Sequence, residues 1–95
     1  MTGSRQADEK MDPRRKRARF RAWHRGTREM DLILGPFADN ALSTMTNDDL
    51  DAFERLLEMP DTEMLKWFTG ATPVPDVCDT PLFLRISRFR ETMRS

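Results

Sequence analysis

The chain has 95 residues, of which 38 % are hydrophobic and 34 % are charged, and its formal net charge is zero. A chain of this length buries only about 60–65 % of its unfolded surface, which excludes a second domain and a deep substrate cavity. The single cysteine, Cys78, excludes an intrachain disulfide and a zinc site built from several thiolates.

The sequence also carries no signal for insertion into a membrane. No apolar run approaches the roughly 18 residues that span a bilayer, and the amino terminus has no hydrophobic region of the secretory type. A lone cysteine is typical of a reducing compartment. We therefore expect a cytoplasmic protein without direct membrane insertion.

The first part of the chain predicts a mobile arm and then a basic helix. Residues 1–11 are polar and have no periodic apolar pattern, so we expect a disordered arm. Asp12 suits the N-cap, and Pro13 suits the first position of a helix that runs to about His24. Two aromatic residues are expected to anchor this helix to the rest of the fold: Phe20 and Trp23.

A second helix is predicted to begin after Gly26, which can end the first helix in a left-handed conformation. Thr27 can act as its N-cap. Gly35 and Pro36 interrupt the helical pattern, and we expect the helix to kink or end there. The apolar residues before and after this pair have the spacing of one helix face: Met30, Ile33, Leu34 and Phe37.

Three further short helices are predicted in the remainder of the chain. Thr46 is expected to cap the third helix, Pro60 precedes the fourth, and Gly70 ends it. After a loop over residues 71–78, the last helix begins at Asp79 or Thr80. Its apolar face consists of Leu82, Ile86, Phe89 and Met93.

No segment has the alternating pattern of a β-strand. The sequence therefore predicts an all-α fold, a compact bundle of about five short helices that forms a single domain over residues 12–95. The methionines of this bundle are expected to fill its interior rather than to form a binding groove: Met30, Met45, Met59, Met64 and Met93.

Charge is distributed unevenly along the chain. Nine basic residues and one acid lie between Lys10 and Arg28, whereas two basic residues and twelve acids lie between Glu29 and Thr80. The boundary is the segment 25–29, Arg-Gly-Thr-Arg-Glu, which can present bare backbone and opposite charges on one patch. Such a patch suits docking better than catalysis, although two adjacent helix caps would also explain its glycine and threonine.

The basic run from Pro13 to Arg21 has two interpretations. It can bind phosphates while Phe20 and Trp23 stack on unpaired bases. We favour a solvated helix face, because the net charge is zero and no sequence-reading module accompanies the run. The acids of the middle segment are likewise expected on the solvated faces of the third and fourth helices.

Nothing in the sequence indicates a catalytic, cofactor-binding or metal site. The only histidine, His24, has no second ligand at helical spacing, and no glycine-framed serine is present. Cys78 has no neighbour in the sequence that would activate it. We expect His24 to contribute hydrogen bonds to a docking patch on the surface.

The charge boundary resembles the motif of the SdhE family, called succinate dehydrogenase assembly factor 2 in mitochondria. The family motif Arg-Gly-x-x-Glu is matched by Arg25, Gly26 and Glu29. Similar strings follow at residues 30–37 and 53–57, and the similarity extends over about residues 14–93. His24 departs from the pattern, because many relatives have arginine there.

This resemblance implies an assembly chaperone and not an enzyme. Family members assist the covalent attachment of FAD to the flavoprotein subunit of succinate dehydrogenase or, in bacteria, of fumarate reductase. The implied partner is this flavoprotein subunit, and FAD is the cofactor of the client. With the charge pattern, the resemblance gives an expected partner-binding site of seven residues: His24, Arg25, Gly26, Thr27, Arg28, Glu29 and Asp31.

Two alternatives remain open at this point. One is a nucleic-acid-binding module that uses the basic helix. The other is an antitoxin-like role, sometimes attached to relatives of the family, in which the chain engages a membrane-linked partner. Our expectation is a monomer that binds the flavoprotein subunit, binds no nucleic acid, and holds neither a cofactor nor a metal.

Overall fold

The structure, a computed structural model, describes residues 11–94. Within that range the chain forms five α-helices, α1 (Pro13–Trp23), α2 (Arg28–Ala41), α3 (Asn47–Leu57), α4 (Asp61–Thr69) and α5 (Pro81–Arg94). Short 3₁₀ turns lie at Leu42–Thr44 and Asp76–Cys78. The described part of the chain contains no strand, and the predicted all-α bundle of five short helices is confirmed.

The arm predicted over residues 1–11 lies outside the described residues, except for its last residue. Met11 belongs to the described range, and its side chain is buried in the core. The described fold therefore includes one residue that the sequence pattern assigned to the arm.

Side chains cap the helices where the sequence predicts them. The carboxylate of Asp12 accepts a hydrogen bond from the backbone N–H three residues later at 2.8 Å. Thr27, Thr46 and Thr80 accept in the same way at the starts of α2, α3 and α5. Gly70 ends α4 with a φ of 81°. Each N-cap satisfies an N–H group that has no acceptor within the helix.

The course of α2 corrects one expectation, because this helix does not end at Gly35 and Pro36 but continues to Ala41. Pro36 provides no N–H for the carbonyl of Leu32 one turn earlier. Leu32 lies at the surface, where water can supply that hydrogen bond. Gly35 is required by packing, because a Cβ atom there would lie 2.6 Å from Cε3 of the Trp23 indole.

The core is formed by one face of each helix. Phe37 connects three of them, since its ring centroid lies 6.1 Å from that of Phe53 in α3 and 5.7 Å from that of Phe89 in α5. The expected methionine filling holds for most of these residues, although Met93 is about half exposed. Among the largest fully buried side chains are Met30, Leu34, Leu42, Leu50, Leu56, Met64, Leu82 and Ile86.

The packing of α1 differs from the prediction that both aromatic residues anchor it. Ala18 and Ala22 are buried, whereas Phe20 is 62 % exposed, so Phe20 is not an anchor. The small alanine side chains allow α1 to approach α2, on which it packs most extensively. Trp23 does act as an anchor, because its ring covers Gly35 and its Nε1 donates to the Asp39 carboxylate at 3.2 Å.

Arginines on the inner side of α1 bind the acidic helix α3. Arg14 pairs with Glu54 at 2.7 Å and with Asp51 at 2.5 Å. Arg15 and Arg21 donate to backbone carbonyls of the first 3₁₀ turn, of Met45 and of the end of α3. Arg21 and Asp51 are exposed, as the expectation of solvated faces requires, but the basic and acidic segments also pair with each other, which the sequence did not predict.

The ion pair between Arg14 and Glu54 also makes part of the stability of the fold depend on pH. Its hydrogen bonds lower the pKa of the Glu54 carboxyl below the ordinary value of 4.5. A carboxyl group whose pKa is lowered by folding stabilises the fold above its ordinary pKa. This contribution is lost as the pH falls through the lowered value.

We predict that Gly35→Ala destabilises the fold. Alanine favours a helix by ~1 kcal/mol over glycine, but the added methyl group collides with the Trp23 indole, and overpacking costs ~1–3 kcal/mol. Urea unfolding of Gly35→Ala should show a net loss of stability. The loss should shrink or reverse in a Trp23→Ala background, where the colliding ring is absent. A Gly35→Ala protein more stable than the wild type would contradict this packing.

Candidate functional site

The segment from His24 to Asp31 includes the turn between α1 and α2. His24 is the C-cap of α1, Gly26 has a φ of 102°, and Thr27 caps α2. A side chain rarely adopts this φ, which is why the turn needs glycine. A Cβ atom at Gly26 would have no neighbour within 4 Å, so the backbone of the turn borders open space.

Arg25 anchors the turn to the rest of the bundle. Its guanidinium donates through Nε to Asp61 Oδ1 at 2.8 Å, through Nη1 to the Leu57 carbonyl at 2.5 Å, and through Nη2 to the Met59 carbonyl at 2.6 Å. The side chains of Arg25 and Asp61 are only 10 % and 12 % exposed. The charge of Arg25, one of the predicted site residues, is thus engaged within the fold.

Asp31 fixes the turn from the side of α2. Its Oδ1 accepts the backbone N–H of Arg25 at 2.6 Å. The hydroxyl of Thr27 donates to Asp61 Oδ2 at 3.4 Å, so Asp61 binds two residues of the turn. Asp61 was not predicted from the sequence, because an aspartate in the first turn of a helix is common and its partner Arg25 lies 36 positions away.

Arg28 and Glu29 carry the exposed charges of the segment. Neither side chain forms a hydrogen bond or ion pair with any other residue of the described range. Their backbone N–H groups belong to the first turn of α2, where a helix provides no internal acceptor. With Gly26 and Thr27 they form a continuous exposed patch, which we call the turn face.

An apolar groove of about 320 Å³ opens next to Glu29. It lies between α2, α4 and α5, and Leu32 and Met93 are its most exposed apolar members. Sequence patterns missed this groove because its lining comes from three separate helices. The full lining is Glu29, Leu32, Ile33, Leu65, Arg90 and Met93.

His24 is exposed, as expected, but one of its nitrogens bonds within α1. Its Nδ1 donates to the Phe20 carbonyl at 2.7 Å, and the two rings stack with centroids 3.9 Å apart. The backbone N–H of His24 bonds the carbonyl of Arg21 instead, at 3.4 Å. The imidazole therefore supplies the donor that the Phe20 carbonyl lacks at the end of the helix.

Other reactive groups of the described chain add no chemistry to this segment. Cys78 is buried, and burial raises the pKa of its thiol, which disfavours the nucleophilic thiolate. Residues 11–94 contain no group of histidine, cysteine and carboxylate side chains that could hold a metal ion. None of the helices described has the length and apolar character needed to cross a membrane.

We predict that Arg25→Ala destabilises the whole bundle. The substitution removes the cation that pairs with Asp61 and the donor that binds the Met59 carbonyl, and removal of one partner from a buried ion pair costs ~3–5 kcal/mol. Denaturant unfolding should show this loss. Arg28→Ala is the matched control, because it removes an exposed arginine without an internal partner and should leave the unfolding midpoint unchanged. Equal stability of the two variants would contradict an anchoring role for Arg25.

Comparison with known proteins gives consistent matches over most of the chain. Residues 16–90 match the Sdh5 family model, described as "Flavinator of succinate dehydrogenase". The chain is 41 % identical over 80 residues to the FAD assembly factor SdhE of Acetobacter pasteurianus, which covers 84 % of this chain and 73 % of that protein. It is 42 % identical over 55 residues to the FAD assembly factor SdhE of Shewanella oneidensis, which covers 58 % of this chain and 67 % of that protein.

A mitochondrial relative is similar over a comparable range. The succinate dehydrogenase assembly factor 2 of Debaryomyces hansenii is 37 % identical over 71 residues, which covers 72 % of this chain and half of that protein. No solved structure matches the chain significantly. The segment matched by the family model contains all of the turn face and its anchoring residues. The chain therefore belongs to the SdhE family, whose mitochondrial members are called succinate dehydrogenase assembly factor 2.

Proposed function

We propose that this chain is an assembly factor that binds the flavoprotein subunit of succinate dehydrogenase, or of fumarate reductase, and promotes its covalent flavinylation. Membership of the family supports this, because the bacterial relatives are named FAD assembly factors. The structural observation that carries the proposal is the turn face, where Arg28 and Glu29 have no partner in the described chain. Buried bonds hold this face rigid, so docking would order few additional groups.

The seven residues of the proposed site have two different tasks. The residues of the turn face would touch the client, with Arg28 donating and Glu29 accepting charge-assisted hydrogen bonds. Gly26 would allow the client to approach the backbone closely. The other three would position this face through their internal bonds: His24, Arg25 and Asp31.

The proposed action is conformational and requires no catalytic group on this chain. The family resemblance implies that the client attaches FAD to one of its own histidines. An assembly factor that binds the reactive conformation of the client more tightly than other conformations raises the population of the reactive one. Reacting groups held in place also lose less entropy on the way to the transition state. In this proposal FAD remains the cofactor of the client, and the chain is not an enzyme.

We also propose that the chain works as a cytoplasmic monomer and binds no nucleic acid. Four arginines of the basic segment are bound within the fold, which leaves fewer cations for phosphate groups: Arg14, Arg15, Arg21 and Arg25. This observation disfavours the nucleic-acid alternative. No feature of the described residues favours the antitoxin-like alternative.

We predict that Gly26→Arg abolishes productive docking and leaves the bundle folded. The new side chain would project into the open space that the client is proposed to occupy, and the positive φ adds a cost on the order of 1–2 kcal/mol. The matched control is Gly70→Arg, at the other glycine with positive φ and no neighbour within 4 Å of its added Cβ. Covalently bound flavin in the client, measured by fluorescence in a denaturing gel, should disappear with Gly26→Arg only.

Circular dichroism of both glycine variants separates docking from folding. Each should keep the helical spectrum and show a similar, small fall in melting temperature, because each has the same backbone strain. A folded Gly26→Arg protein that supports normal flavinylation would contradict the proposal.

We predict that Glu29→Ala weakens the complex with the flavoprotein subunit roughly tenfold or more, because a hydrogen bond to a charged group is lost. Calorimetric titration of the isolated subunit measures this affinity. Asp48→Ala is the control, since Asp48 is also an exposed acid at the second position of its helix. The two substitutions affect a helix dipole equally, but only Glu29 lies on the turn face. Equal affinities for both variants would remove Glu29 from the site.

A further inference from the structure

The outer side of α1 is not covered by any other element of the described chain. Lys16, Phe20 and His24 follow one another at intervals of four residues, so they form a row on this side, with Arg17 next to them. All four residues are exposed. Neither Lys16 nor Arg17 forms a hydrogen bond or ion pair with another described residue. We call these four residues the outer stripe.

The contacts of α1 separate its cations into two groups. Arg14, Arg15 and Arg21 point to α3 and to the first 3₁₀ turn, where carboxylates and carbonyls satisfy them. Lys16 and Arg17 are exposed, and no acidic residue belongs to the outer stripe. After the hydrogen bond and charge of Arg14, the charge of Arg17 also helps to lower the pKa of Glu54 in α3, so Arg17 acts on both sides of the helix. Neither cation is bound by a hydrogen bond or ion pair within the described residues, and both can interact with a molecule outside the bundle.

The aromatic pair on this side is held in a fixed arrangement. The rings of Phe20 and His24 are nearly parallel, with an interplanar angle of 15°, and the imidazole is bonded to the helix end through Nδ1. Single exposed apolar residues are common on protein surfaces and need no explanation. Phe20 differs from such residues because it stacks on His24, has two exposed cations beside it, and lies one helical turn before His24, which is two residues before the turn face.

We propose that the outer stripe is a second contact surface for the client flavoprotein, and that it binds an acidic patch with an apolar recess that receives Phe20. This inference rests on the proposed function. Charge complementarity selects an acidic partner surface, since the stripe contains two cations and no acid. A rigid aromatic residue surrounded by polar groups is typical of the positions that dominate binding energy at protein interfaces.

The outer stripe is also continuous with the turn face. His24 ends α1, and the turn face begins two residues later at Gly26. A client that contacts both surfaces would be bound along the outer side of α1 and across the start of α2. A protein partner is favoured over a nucleic acid because the stripe contains only two cations and the chain has no net positive charge.

Phe20→Ala tests this inference in the full chain. The variant should bind the isolated flavoprotein subunit of succinate dehydrogenase about tenfold more weakly by calorimetry, and Phe20→Leu should recover part of the affinity. Val77→Ala is the control, because Val77 is 60 % exposed and lies in the second 3₁₀ turn, away from α1. All three variants should melt close to the wild-type temperature, since neither exposed side chain contributes to the core.

The charge of the stripe is tested separately by Lys16→Glu. Charge pairs at the edge of an interface act mainly on the association rate. This variant should associate with the subunit more slowly in stopped-flow measurements, and its rate should depend less on salt concentration. The control is Arg88→Glu, which also replaces a positive charge by a negative one, at an exposed site of α5. This variant should associate at the wild-type rate.

The outcomes distinguish this inference from the proposed function. If Glu29→Ala weakens binding and Phe20→Ala does not, the outer stripe is not a contact surface while the proposed function stands. If the wild-type chain does not bind the flavoprotein subunit, both fail. Two other results would also overturn the inference, because the stripe would then bind another partner. One is a dimer, seen by sedimentation, that Phe20→Ala abolishes. The other is salt-dependent binding to a random duplex that the same substitution abolishes.

Discussion

The hydrogen bonds of the Arg25 guanidinium are the interaction on which the functional segment depends. A helix leaves carbonyls without donors at its end and has a partial negative charge there. Arg25 supplies donors and a positive charge to the end of α3 and reaches the first residue of α4 with the same side chain. The turn that follows Arg25 is thereby fixed relative to α3 and α4. Gly26, Thr27, Arg28 and Glu29 are exposed beside it, and the side chains of Arg28 and Glu29 make no internal bond within the described residues.

The sequence predicted what depends on local chemistry. The caps at Asp12, Thr27 and Thr46 and the glycine that ends α4 follow from residue types within a few positions of one another, and the charge boundary located the turn. The features that were not predicted from the sequence depend on residues far apart in the chain. Gly35 is found within a helix, where the Trp23 ring packs on it. Arg25 faces inward because Asp61 and a carbonyl at the end of α3 accept its hydrogen bonds. The exposure of Phe20 could have been predicted from the sequence, because Phe20 lies four residues before His24 and therefore on the same side of the helix as this surface residue.

The fold explains why basic and acidic residues are concentrated in different parts of the sequence. Arg14 and Arg21 of α1 pair with acids of α3 and of its C-cap, so opposite charges that are distant in the sequence become neighbours and stabilise the packing of a helix whose buried side chains are alanines. At partly exposed positions a single ion pair adds little to the stability of the fold, and several pairs in a network add more. The cations that remain, Lys16, Arg17 and Arg28, lie on the side that continues into the turn face. One helix thus combines an internal electrostatic contact with a surface available to a partner.

Hydrogen exchange at the backbone amides of residues 26–29, with and without the client flavoprotein subunit, is the most direct test of the central claim. These amides lie in a turn and in the first turn of a helix, so the free protein should exchange them quickly. They should become protected when the client is added, whereas the amides at the start of α3 should keep their exchange rates. Protection confined to other helices, with unchanged exchange at residues 26–29, would contradict the claim that the turn face is the docking site.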